Sequence, residues 1–210
     1  MGIAERKERE KQQRRDEIVT AAEHIFFSKG FDSATMDDIA EKAELSKGTL
    51  YLYFKSKEDL HTEVAHRATA MLSEAMAGIE KMKGNAIDRL LSMGRATIQF
   101  SQRFPNHMKS IIFLEGFELQ QVSFSASEFR EVIYKESPVG MVVKIIEQGV
   151  RDKVIRSDIP PLVIAHTLWM QMISVMRFVT GRSAMFELLE LNPAALYESH
   201  FELVINGIRS

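Results

Sequence analysis

The residues best suited to chemistry lie in one short stretch, Ser46 to Leu60, which reads SKGTLYLYFKSKEDL. It holds hydroxyl groups, aromatic rings and, at Lys47, Lys55 and Lys57, three lysines in eleven residues without an acidic side chain. Lysines bind phosphate oxygens, whereas hydroxyl and apolar groups can contact the edges of bases. The chemistry indicated is nucleic-acid binding. It must depend on local charge placement, because residues 1–60 hold 11 Lys+Arg against 13 Asp+Glu and the net charge of the 210 residues is −2.

A short helix must position these side chains. Ser46 predicts the cap of this helix, and Leu50 and Phe54 then mark its buried side. The opposite face would carry Gly48, Thr49, Tyr51, Leu52 and Lys55. Glycine costs about 1 kcal/mol relative to alanine on an exposed helix. This composition therefore predicts a surface against which another molecule docks, with Gly48 allowing a close approach of a backbone.

The preceding residues complete a helix-turn-helix. Thr35 followed by Asp38 predicts a capping box at the start of another helix. The turn 44–46 and the short helix after it have the spacing of a motif whose second helix enters the major groove. Packing inside the protein is the better explanation for Tyr53 alone, but it does not account for the whole set of residues.

At these residues the sequence resembles the TetR family of transcriptional regulators. The resemblance runs from Ile18 to Val64 and includes AAEHIFFSKGFDSATMDDIAEKAELSKGTLYLYFKSKEDL. It implies DNA-contacting positions at Thr35, Ser46, Lys47, Thr49, Tyr51, Tyr53 and Lys57, with Gly48 at the family's small residue. Together with Leu52 and Lys55 these residues are the predicted DNA interface. Glu44 departs from the family, which often has glycine in the turn.

Helical periodicity continues along almost the whole chain and predicts an all-α protein of about nine or ten helices. The first helix is expected from Lys11 to Lys29, and a long one from the cap Ser56 to Gly84. Other starts are predicted at Asn85, Pro105, Ser127, Ser137, Pro160 and Asn192, with stops at Gly149 and Gly181. The predicted domains are a helix-turn-helix DNA-binding domain, 1–56, and a larger helical ligand-binding and dimerisation domain, 57–210.

The first residues are densely charged. Six basic residues, Arg6, Lys7, Arg9, Lys11, Arg14 and Arg15, alternate with glutamates. Residues 1–11 are expected to form a flexible charged arm, which could follow the adjacent minor groove, or a frayed extension of the first helix in solvent.

Two helices of the second domain are apolar around most of their circumference, one from about Pro161 to Thr180 and one at the end of the chain. Such helices must be covered on both sides. Pairing with a second copy would cover them, and the predicted interface is Leu168, Val175, Leu196, Leu203 and Gly207. The resemblance implies the same homodimer, with two recognition helices about one turn apart on a palindromic operator. The alternative is that both helices are central in a monomer.

Flexible methionines among aromatic rings suit an adaptable apolar pocket. By resemblance, the helices that carry Phe100, Phe104, Met108, Phe113, Phe117, Trp169, Met172 and Met176 surround a ligand cavity. Residue by residue, ordinary core packing is the better explanation. The expected partners are thus double-stranded DNA, a second copy and a small-molecule effector.

An enzyme is the main competing class. His61 and His66 diverge by about 140° on a helix, which disfavours a shared metal, and no glycine-rich phosphate loop or nucleophile elbow occurs. No cofactor is expected. Without cysteine or an apolar signal segment, and with 160–176 judged too short and too polar for a membrane span, the expected location is the cytoplasm. The prediction is a dimeric repressor released by an apolar or amphipathic effector. The alternative is a DNA-binding regulator controlled by a protein partner, with no pocket.

Overall fold

The computed structural model describes residues 2–116, 137–181, 186 and 188–210. Within these ranges the chain is helical, with one isolated bridge between Ile155 and Arg209, so the all-α prediction is confirmed. The helices are α1 (Ile3–Lys29), α2 (Met36–Lys42), α3 (Lys47–Tyr53), α4 (Lys57–Met76), α5 (Ala86–Arg103), α6 (Pro105–Gly116), α7 (Pro138–Arg151), α8 (Pro161–Gly181) and α9 (Pro193–Ile208). The start predicted at Ser127 lies outside the described residues.

Side-chain caps begin several helices where the sequence predicted them. The Ser56 hydroxyl accepts a hydrogen bond from the Asp59 amide at 3.1 Å, and the Asn85 side chain accepts one from Asp88 at 2.9 Å. Ser137 does the same for Gly140 at 3.1 Å. Each cap pairs an amide of the first turn that has no partner inside its helix.

Three boundaries differ from prediction. α1 begins at Ile3, upstream of Lys11, because i,i+4 pairs such as Arg6 with Glu10 (2.8 Å) support the charged segment as helix. α4 ends at Met76, and tighter i→i−3 hydrogen bonds replace the helix as far as Met82. Gly149 lies inside α7 and does not end it. A Cβ at Gly149 would come within 2.5 Å of the Ile155 side chain, so glycine is needed there for packing.

The chain divides into two compact units, residues 1–68 with 104–118, and residues 69–103 with 119–210. The division places α6 with the first three helices, whereas the sequence assigned all of 57–210 to one domain. α4 passes from the first unit into the second.

One hydrophobic core joins the helices of the first unit. Its fully buried members include Ile18 of α1, Ile39 of α2, Leu50 of α3, and Leu60 and Val64 of α4, each 0% exposed. A seven-residue helix such as α3 has little stability of its own. The shared core therefore fixes the position of α3.

Candidate nucleic-acid interface

The two faces of α3 differ as predicted. Leu50 and Phe54 are buried, at 0% and 2% exposure. On the other side Leu52 is 77% and Tyr51 37% exposed. A large apolar side chain as exposed as Leu52 is available to an external partner.

Gly48 lies on the same exposed face, four residues before Leu52. A Cβ built on Gly48 would meet only the Ser46 Oγ, at 4.0 Å. Neither packing nor a left-handed backbone requires glycine here, although glycine weakens the helix by about 1 kcal/mol. The space beside Gly48 is therefore best explained by a molecule that approaches from outside.

The capping hydroxyls at the starts of α2 and α3 have partners inside the protein. The Thr35 hydroxyl donates to Asp38 at 2.8 Å and accepts from its amide at 3.1 Å, which confirms the capping box. Hydrogen bonds from Lys29 and Thr35 lower the pKa of the Asp38 carboxyl. The Ser46 Oγ accepts from the Thr49 amide at 3.1 Å and lies 2.8 Å from the Thr49 hydroxyl. These contacts set the angles at which both helices begin.

The end of α3 is held by a residue that sequence reasoning placed in the charged N-terminal segment. The Arg15 guanidinium lies 4.3 Å from the centre of the Phe54 ring and donates to Glu63 at 2.6 Å. It also donates to the Tyr53 carbonyl at 3.5 Å. Arg15 is thus a positioning residue for α3. No local sequence signal indicates a contact between residues so far apart along the chain.

The turn before α3 accommodates Glu44 where the family often has glycine. Glu44 has a φ of +54°, the left-handed conformation that glycine adopts readily. The turn remains closed, because the Leu45 amide donates to the Ala40 carbonyl at 2.9 Å. Non-glycine residues in this conformation cost about 1–2 kcal/mol. Glu44 therefore holds a strained backbone conformation within a closed turn.

Replacing Glu44 with glycine is expected to raise the free energy of unfolding by up to about 1 kcal/mol, since relief of strain exceeds the entropy that glycine adds to the unfolded chain. Urea unfolding measures the change. Glu44→Ala is the matched control, because it removes the carboxylate but keeps the Cβ. An equal gain in both variants would assign the effect to charge and not to backbone strain.

All three lysines of the predicted interface have intramolecular partners. Lys47 pairs with Asp37 of α2 at 2.7 Å, and this hydrogen bond raises the pKa of Lys47. Lys55 donates to the Tyr51 carbonyl at 3.0 Å. Lys57 donates to the Phe31 carbonyl at 2.9 Å and lies 4.5 Å from the centre of the Phe31 ring. Lys57 therefore also ties the start of α4 to the segment after α1.

The substitutions Lys47→Ala and Lys57→Ala are therefore expected to have different effects. Each is expected to weaken binding to any DNA and to flatten the salt dependence by about one phosphate. Only Lys57→Ala should also lower the free energy of unfolding, by about 1 kcal/mol, since it removes hydrogen bonds to the Phe31 and Asp32 carbonyls. DNA binding measured over a range of salt concentrations tests the first effect, and urea unfolding tests the second. Unchanged salt dependence in Lys47→Ala would remove that lysine from the interface.

Tyr53 is partly buried and packs against the core of the first unit. Its ring therefore has a structural role, as sequence reasoning favoured for this residue taken alone. The predicted DNA interface thus contains exposed residues that are open to a partner, Gly48, Tyr51 and Leu52, and residues that also hold the domain together, including Thr35, Ser46 and Lys57.

A cavity of about 70 Å³ lies in the second unit, between α5, α7, α8 and α9 and the end of α4. Its lining is almost entirely apolar: Met76, Leu90, Leu91, Met93, Gly94, Thr97, Val142, Ala165, Leu168, Trp169, Met172, His200, Phe201, Val204 and Ile205. The Thr97 hydroxyl is satisfied by the Met93 carbonyl at 2.9 Å. The cavity thus suits an apolar guest.

Only some of the predicted ligand-pocket residues line this cavity. Trp169 and Met172 line it. Phe100 and Met176, at 4% and 1% exposure, are core residues of the same unit. The other predicted residues are elsewhere: Phe104, Met108 and Phe113 belong to the first unit, and Phe117 lies outside the described residues.

An open apolar groove runs between α8 and α9. It includes three predicted interface residues, Leu168, Leu203 and Gly207, and Leu203 is 74% exposed. Val175 and Leu196 are half-buried and do not line it. Of the described helices, only residues 161–179 have the length and composition of a membrane span, and 28% of that stretch is buried. The sequence argument that this region is too short and too polar to span a membrane was therefore too strong.

No group of three potential metal-ligating side chains occurs among the residues that the structure describes. A buried core that orients two capped helices, with an exposed face on the second, defines a helix-turn-helix DNA-binding protein. Residues 18–64 match the model for bacterial regulatory proteins of the tetR family. Residues 18–64 therefore form a DNA-binding domain of the kind found in the TetR family of transcriptional regulators.

Individual relatives agree with this assignment. The transcriptional repressor KstR2 of Mycolicibacterium smegmatis is 29% identical over 147 residues, which cover 70% of this chain and 69% of the repressor. A TetR-family regulator from Haemophilus influenzae has the same fold, with a TM-score of 0.65, 18% identity and coverage of 95% of this chain and 98% of that one. The ketosteroid transcriptional regulator KstR2 of Mycobacterium tuberculosis superposes with a TM-score of 0.59 at 20% identity, covering 94% and 95%.

Proposed function

We propose that this regulator is a homodimeric, cytoplasmic repressor that binds a palindromic operator and is released by a small apolar or amphipathic effector. The exposed face of α3 carries the proposal: Tyr51 and Leu52 stand out from the core beside the unfilled space at Gly48. In a major groove, Tyr51 can hydrogen-bond a base edge and Leu52 can contact a thymine methyl. Residues 1–56 act as the DNA-binding domain in this proposal, and 57–210 bind the effector and the second copy.

Dimerisation is supported by apolar surface on α8 and α9. Val163 and Met170 of α8 are 52% and 54% exposed, and Leu203 of α9 is 74% exposed. An isologous interface would bury these side chains twice, once on each subunit. Two copies of α3 about one helical turn apart would then read the two half-sites of the operator.

Effector binding is supported by the cavity of the second unit, whose lining is apolar. One relative is named a ketosteroid regulator, and a steroid is a largely apolar molecule. A volume of about 70 Å³ accommodates roughly one aromatic ring or a short alkyl chain. A larger effector would have to displace the lining. Control by a protein partner remains the competing proposal, and it predicts that no small molecule stabilises the chain.

Selection of bound sequences from a random duplex pool, by the purified chain at near-physiological salt, tests the operator. A palindrome with half-sites about one turn apart is the expected result. Recovery of single half-sites would contradict the dimer, and recovery of no preferred sequence would contradict sequence-specific binding by the unliganded protein. A thermal-shift screen of apolar compounds tests the effector, since a ligand at 100 times its Kd should stabilise the chain by about 2.7 kcal/mol.

A further inference from the structure

The cavity of the second unit and the groove between α8 and α9 share a wall. Leu168 of α8 and His200 and Val204 of α9 line both spaces. His200 and Val204 are one turn apart on the same face of α9, and Leu168 stands across from them on the neighbouring helix. These three side chains therefore form a wall common to the cavity and the exposed apolar groove.

The α5 side of the cavity is tightly packed. A Cβ built on Gly94 of α5 would collide with the Phe201 ring and would lie 3.4 Å from Met172. The α5 backbone therefore packs closely against side chains of α8 and α9. The groove side opens to solvent past Leu203, which is 74% exposed. A guest that outgrows the cavity is therefore expected to displace the shared wall, which borders open space, more easily than the closely packed α5 wall.

The wall itself carries no fixed charge that would oppose this movement. Leu168 and Val204 are apolar, and burial lowers the pKa of the His200 imidazole, which favours its neutral form. Leu168, Val204 and a neutral His200 can turn toward the cavity or toward the groove without exposing or burying an ion.

We propose that a ligand made of an aromatic ring or short alkyl chain fills this cavity, pushes Leu168, His200 and Val204 into the α8–α9 groove and thereby weakens the association of two copies. The inference rests on the proposed dimer and effector site and adds the physical link between them. Since each subunit contributes the same wall to the interface, two bound ligands would disturb the interface twice.

The test uses the full chain, with toluene as the probe. Sedimentation velocity over a dilution series gives the dimer dissociation constant with and without toluene, and ligand-observed NMR reports whether toluene binds. We expect toluene to bind and to raise the dissociation constant about 5–50-fold, the size of typical allosteric couplings. Toluene binding with an unchanged dissociation constant, or no toluene binding, would overturn the inference.

A larger side chain inside the cavity should have the same effect as a bound ligand. Val142 of α7 lines the cavity but not the groove, so Val142→Phe should fill the cavity, weaken the dimer without toluene and abolish toluene binding. Val143→Phe is the matched control, because Val143 is also half-buried on α7 but lines neither space. Equal effects of both variants would overturn the role of the cavity. A wild-type chain that is monomeric at every concentration would instead remove the dimer of the proposed function, and this outcome is distinct from a toluene-insensitive dimer.

Discussion

Tyr51→Ala is expected to weaken operator binding by about 1–3 kcal/mol and to blunt discrimination between operator and mutated operator. Tyr51 stands on the exposed face of α3 and is 37% exposed, so its loss removes a contact with DNA together with the packing of the covered part of the side chain. Binding to unrelated DNA should change much less, because that binding depends on phosphate contacts. Fluorescence anisotropy with operator and scrambled duplexes at one salt concentration measures both.

Two controls separate the contributions to this effect. Tyr51→Phe keeps the ring and removes the hydroxyl, so it should retain the apolar contacts of the ring and lose any hydrogen bond to a base. Tyr53→Phe, on the half-buried neighbour, should leave operator specificity close to wild type. Equal affinity of wild type and Tyr51→Ala for the operator would exclude Tyr51 from base recognition.

Acidification from pH 6.5 to 4 is expected to remove up to about 3 kcal/mol of unfolding free energy through His61 alone. His61 is 5% exposed, and its ring centre lies 4.2 Å from that of Phe113 and 4.9 Å from that of Phe31. Its Nδ1 has no hydrogen-bond partner among the described residues. Burial lowers the pKa of this imidazole to about 4. The aromatic cluster therefore accepts neutral His61 and excludes the protonated form.

The direction of this change in unfolding free energy follows from proton binding. The unfolded chain titrates His61 near 6.5, so between pH 6.5 and 4 it binds more protons than the folded chain. Stability must then fall as the pH falls through this window and level off below it, as far as this residue is concerned. Urea unfolding of wild type and His61→Leu at several pH values isolates the effect from other groups, such as His107, which lies 3.1 Å from Glu23. Parallel pH profiles for both proteins would contradict the assignment.

The sequence by itself determined the parts of this protein that depend on neighbouring residues. Thr35, Ser46 and Asn85 begin helices because a side-chain oxygen reaches an amide three positions on. The buried and exposed faces of α3 follow from the helical period. These local rules, with the family resemblance, were enough to predict the helix-turn-helix and the class of regulator.

Only the tertiary structure decided which distant residues meet. Arg15 holds the end of α3, Lys57 binds the carbonyl groups after α1, and α6 packs with the first unit through the contact of Phe113 with His61. Likewise, Trp169 and Met172 line the cavity, whereas Phe104 and Phe113 belong to the other unit. Helical periodicity tells which face of a helix is buried but not which helix covers it. The partner of each buried face is set by the packing of the whole chain.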